Sequence, residues 1–135
     1  MKNRIFVAFS HNLQPSQIAD LKEQFNIEEA DIVMLSATNP QLSKQCQQID
    51  PAATLEEIQS IAALVVVEAV QAGATHFFCT GEPTLAMWAN LFASTMADHV
   101  PACLIPLTRT GHDEVHGNWW AFKKGPHFLK CVVST

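Results

Sequence analysis

Four short, nearly continuous apolar runs frame this chain: Arg4–Phe9, Asp31–Leu35, Thr75–Cys79 and Ala102–Leu107. Runs of this length read as strands, and the first as one buried on both faces. The segments between them carry helical spacing. Pro15 suits a first helical turn, and Ile18, Leu21 and Phe25 follow it. Thr54-Leu55-Glu56-Glu57 is a capping box that opens a long helix carrying Ile58, Ile61, Leu64, Val65 and Val70, with Gly73 as its stop. Pro83 opens another, with Leu85, Trp88, Leu91 and Phe92 on one face. Ser36 to Asp50 is polar and without strong period, so it is expected to be a loop with a short helix. Thr108 to Asn118 reads as a polar connection. Trp119–Phe122 and His127–Val133 flank Lys123-Lys124-Gly125-Pro126 and look like a C-terminal antiparallel hairpin. The expected class is therefore α/β: a mostly parallel sheet, helices on both faces, and that hairpin at its edge.

Length and composition narrow the class further. The chain has 135 residues, one domain's worth, and is 48% apolar, enough for a core. We therefore expect a single domain over 1–135. The longest run of apolar residues in the middle, Ile61–Val67, is far short of the roughly 20 that a membrane-spanning helix needs. The apolar stretch before Ser10 is short for a signal-peptide core. No membrane association and a cytoplasmic location are expected. The four cysteines, Cys46, Cys79, Cys103 and Cys131, form no C-x-x-C pair, which fits free thiols in a reducing compartment. Net charge is −5, all of it carried by residues 1–70. A long nucleic-acid duplex would be repelled, whereas a small anion in a local basic pocket would not.

In sheets of this kind, ligands bind beyond the carboxyl ends of the strands, at the switch point in strand order. Those ends carry Ser10-His11-Asn12, Thr80-Gly81-Glu82 and Thr108-Arg109-Thr110. Arg109 can donate two parallel bonds to a phosphate, or be a solvated surface charge. His11 can exchange protons near neutral pH, or sit in a plain turn. Thr80-Gly81-Glu82 can cradle a ligand, or form a tight turn in which Glu82 merely favours a helix N-terminus. His112 and His116 flank Asp113, but no further ligand pattern supports a metal. One of Trp119 and Trp120 is expected in the core; the other can stack on a base or lie in a dimer interface. The signatures of dinucleotide, nucleoside-triphosphate and hydrolase sites are missing, and no cofactor is expected.

Phe9-Ser10-His11-Asn12-Leu13 with Gln17 resembles the opening strand and turn of small Csx-type accessory proteins of type III CRISPR systems, the Csx family numbered twenty in particular. The similarity continues in order through Gln41-Leu42 to Ile49-Asp50-Pro51, Phe77 to Glu82, Ile105 to Thr110, and Pro126-His127-Phe128. Glu82-Pro83 stands where that family's pattern has Asp followed by Phe-Gly.

The resemblance implies a Rossmann-like, CARF-like homodimer that handles cyclic oligoadenylate, a ring-shaped RNA second messenger, most simply the four-membered ring. Members of the group resemble ring nucleases, which open the ring and end signalling. A sister family resembles a sponge that binds without cutting. RNA carries its own nucleophile, the ribose 2′-hydroxyl, so no metal is required. On this reading His11 transfers protons and Arg109 stabilises the phosphate. Ser10 assists them at the catalytic centre, and Asn12, Thr80, Gly81, Thr108 and Thr110 bind the ligand. Glu82 contacts a ribose hydroxyl or an adenine amine, and His127 is a second acid–base candidate. A two-fold dimer matches a ring of two-fold symmetry.

Overall fold

The computed structural model describes residues 2–8 and 13–95 with their side chains, and the backbone of four further strands at 102–106, 110–113, 118–121 and 128–131. It begins with strand β1 (Ile5–Ala8), helix α1 (Pro15–Phe25), a single 3-10 turn at Glu29–Asp31 and strand β2 (Ile32–Met34). Three helices follow: α2 (Leu35–Thr38), α3 (Pro40–Gln47) and α4 (Leu55–Gln71). Then come β3 (His76–Cys79), α5 (Pro83–Thr95), β4 (Ala102–Pro106), β5 (Thr110–Asp113), β6 (Asn118–Ala121) and β7 (Phe128–Cys131).

The main sheet has the order β2-β1-β3-β4-β7. Its first four strands are parallel, and β7 runs antiparallel on the edge of β4. All four residues of β1 are buried, as a strand covered on both faces requires. Their side chains alternate between two cores. Ile5 and Val7 pack with Leu21, Ile27 and Phe78 beneath α1. Phe6 and Ala8 pack with Phe77, Leu42, Val65 and Leu85 beneath α3, α4 and α5. Phe6 lies opposite Phe77 in register, and their rings are stacked with centroids 6.3 Å apart. The α/β class, the parallel sheet and helices on both faces are as the sequence implied.

The helix ends follow local chemistry. Thr54 Oγ1 accepts the Glu57 N–H at 3.2 Å and starts α4. Gly73, at φ +71°, ends it: its N–H bonds Val70 O and that of Ala74 bonds Ala69 O. This is the paired closure that a left-handed residue after a helix makes possible. No described helix is long and apolar enough to cross a membrane.

Three expectations need correction. Ser36–Asp50 is mostly helical, not mostly loop. Asn39 Oδ1 caps α3 by accepting the Leu42 N–H at 3.1 Å, with Pro40 in the first turn. The sequence around α3 is polar because one face alone is buried, through Leu42 and Ser43. The second concerns the C-terminal hairpin. The strands described within those two segments, β6 and β7, do not pair with one another. β6 pairs with β5 in a separate two-stranded sheet, with Trp120 opposite Gly111, and β7 joins β4. The open edge of β4 presents backbone donors and acceptors that need partners, and β7 supplies them. Thr110–Asp113, read as part of a polar connection, is a strand through its pairing with β6 rather than through any apolar pattern.

Candidate functional site

The chain runs from β1 to β2 on one side, then returns to place β3 on the other side of β1. The direction of winding therefore reverses between β1 and β3, where a crevice opens beyond the strand ends. A pocket of about 390 Å³ lies there. That volume is within the range of small-ligand sites, about 300–1,000 Å³.

One wall comes from the sheet edge. It consists of Ala8 at the end of β1 and Thr80, Gly81 and Glu82 beyond β3. The Thr80 N–H donates to Ala8 O at 3.1 Å, which holds the two strand ends together. Gly81 has φ +137°, a conformation that L side chains rarely adopt, and a Cβ there would meet nothing within 4 Å. Glycine is required by the backbone turn, not by crowding. Glu82 caps α5: its Oε2 accepts the Leu85 N–H at 2.8 Å, and its carbonyl accepts the Ala86 N–H at 2.9 Å. The carboxylate thus occupies the positive end of the helix.

The opposite wall is built by the helices after β2. Leu35 and Ile49 give it apolar surface, and Ser43, Cys46 and Gln47 of α3 complete it. Gln47 Nε2 donates to Ser43 Oγ at 3.4 Å. α3 is itself tied to α4, because Asn39 Nδ2 donates to Glu68 Oε1 at 2.9 Å. The Cys46 thiol is pushed up to about 11 by burial, which disfavours its charged form. It is a neutral pocket wall at physiological pH, not a ready nucleophile.

Of the residues expected at the site, Thr80, Gly81 and Glu82 line this pocket. Ser10, His11, Asn12, Thr108, Arg109 and His127 lie outside the described residues. Thr110 opens β5, away from the main sheet's hydrogen-bond ladder. Chain connectivity still relates these segments. β1, β3 and β4 are parallel neighbours, so their C-terminal ends, from which the three expected segments depart, share one edge of the sheet. Phe128 pairs with Pro106, so the chain enters β7 at that same edge. Ser43, Cys46 and Gln47 were not expected. The helical Asn-Pro start before them was the available signal. Among the described residues, no group of three His, Cys, Asp or Glu side chains is placed to hold a metal ion. Comparison of the chain with family models, with curated proteins and with solved structures returns no match.

Proposed function

We propose that this protein is a ring nuclease: it binds cyclic oligoadenylate at the switch point of a Rossmann-like, CARF-like sheet and opens the ring without a metal. The observation that carries the reading is the pocket between β1 and β3, lined by Thr80, Gly81 and Glu82, three residues that the sequence pattern singles out. The resemblance to the Csx family numbered twenty supplies the ligand. The shared edge at which β1, β3 and β4 end supports a role for the segments that follow them.

In the proposed reaction, the 2′-hydroxyl of one adenylate attacks the adjacent phosphorus. The bond from O2′ to phosphorus forms and the bond from phosphorus to O5′ breaks. His11 takes the 2′ proton, and O5′ leaves with a proton from an acid, for which His127 is the candidate. Arg109 holds the charge that builds on the phosphoryl oxygens. Ser10, Asn12, Thr108 and Thr110 position the backbone of the ring. The product is a linear oligoadenylate ending in a 2′,3′-cyclic phosphate. The working unit is a cytoplasmic homodimer with two pockets for one ring.

The test is incubation with cyclic tetra-adenylate in EDTA, resolved by chromatography, beside Arg109→Ala and His11→Ala. Linear product from the wild type, lost in Arg109→Ala, is expected. An intact ring that co-elutes with the protein would instead make it a sponge. An intact ring that stays free, at ring sizes of three, four and six, would end the proposal.

A further inference from the structure

Two cavities away from the switch point join into one groove between α3 and α4. The larger, about 830 Å³, lies toward the N-terminus of α4, and the smaller, about 250 Å³, toward its C-terminus. Gln41 and Gln45 line both, so the two are continuous. The walls differ in chemistry. On the α3 side stand the exposed side chains of Gln41, Gln45 and Gln48. Their positions rise by about 10 Å along the helix axis, the length of about three residues of extended chain. A carboxamide both donates and accepts, so such a row can pair with the N–H and C=O groups of a strand lying along it. On the α4 side, Leu64 and Val67 are 51% and 47% exposed, apolar surface that folding has left in water. Glu57 and Glu68 flank them, about 16 Å apart along the helix. The sequence has no Lys or Arg between Lys44 and Arg109, so α4 itself carries no cation beside these carboxylates. Lys44 and Asp50 also line the larger cavity and balance one another in charge.

We infer that this groove docks an extended peptide segment of a partner protein in which basic and apolar side chains alternate. The peptide backbone pairs with the carboxamides of α3. An apolar side chain covers Leu64 and Val67, and the cations on either side of it meet Glu57 and Glu68. In a strand, residues i, i+2 and i+4 face the same way and span about 14 Å. Long basic side chains make up the remaining distance. A helix has satisfied its own backbone groups and has none to give the row of carboxamides. A second copy of this chain, docked groove to groove, would set acid against acid. The inference goes beyond the ring-nuclease reading and does not rest on it.

The experiment measures fluorescence anisotropy with labelled synthetic nonapeptides. The probe carries Lys, Leu and Lys at its third, fifth and seventh positions in a background of Ser. Its controls carry Glu for both Lys, or the same residues at helical spacing, or N-methylated backbone amides. The probe should bind at least tenfold more tightly than each control. Leu64→Asp should weaken it about tenfold, through lost apolar contact. Glu57→Gln should weaken it about threefold, the size of one exposed ion pair. Both positions are exposed, so both variants should melt at the wild-type temperature. No binding of the probe, or equal binding of the acidic peptide, would overturn the inference. Equal binding of the helical or the N-methylated peptide would overturn it too, since the carboxamide row would then read no backbone. Concentration-dependent sedimentation of the wild type, lost in Leu64→Asp, would give the groove to a second copy instead.

Discussion

Glu82 holds two positions at once: it caps α5 and it forms part of the pocket wall. The two are separable by substitution. Glu82→Ala should lower stability by about 1 kcal/mol, the usual cost of a lost helix cap, read as a shift in the urea midpoint. Its neighbour Gly81 makes a different demand. Gly81→Ala meets no obstructing atom, yet forces a side chain onto φ +137°. The cost should be about 1–3 kcal/mol, entirely from the backbone. Cys46 gives a third test. Its thiol titrates at about 11 instead of 9.0. Alkylation of Cys46 at pH 8, followed by peptide mapping, should therefore run about a hundredfold slower than for an exposed thiol, because the thiolate is the reacting form. The sign of the stability effect follows. A thiol whose folded value is raised holds its proton longer folded than unfolded. Its contribution is complete below pH 9 and is lost as pH rises from about 9 to about 11.

At the scale of elements, α3 decides the shape of the site. It stands because Asn39 caps it and because the same side chain reaches Glu68 on α4. Asn39→Ala removes both bonds and should cost about 1–2 kcal/mol of stability. Since α3 carries Ser43 and Gln47, the same substitution should weaken ligand binding as well. Asn39→Asp separates the effects: it keeps the cap acceptor but sets a second carboxylate against Glu68. Thermal melts of the two variants, with and without cyclic tetra-adenylate, check this. The sequence showed the cap signal of α4 plainly, in Thr54 and Glu57, and the structure places Thr54 as expected. It showed that of α3 less plainly. An eight-residue helix with two buried side chains has little apolar periodicity to read, and it is held by a partner 29 positions away along the chain.

The whole molecule is organised around β1 and β3. Phe6 and Phe77 stack across them at zero exposure, in the larger of the two cores. Phe77→Ala should cost about 3–5 kcal/mol by denaturant titration, a large part of a typical domain's stability of about 5–15 kcal/mol. The strands themselves were legible because burial on both faces demands continuous apolar runs, and Ile5–Ala8 and His76–Cys79 show them. Helix starts and stops were legible for the same local reason: a cap is satisfied within a few residues, as at Thr54 and Gly73. The order of strands in the sheet, and the pairing of β6 with β5 instead of β7, were decided only by the tertiary structure. Backbone groups in a strand accept any partner that reaches them, so pairing depends on which edge is left open, and no short stretch of sequence records that. The pocket is of the same kind. Thr80, Gly81 and Glu82 were visible as the end of an apolar run. Their opposite wall of Ser43, Cys46 and Gln47 became visible only when packing against α4 brought α3 over the switch point.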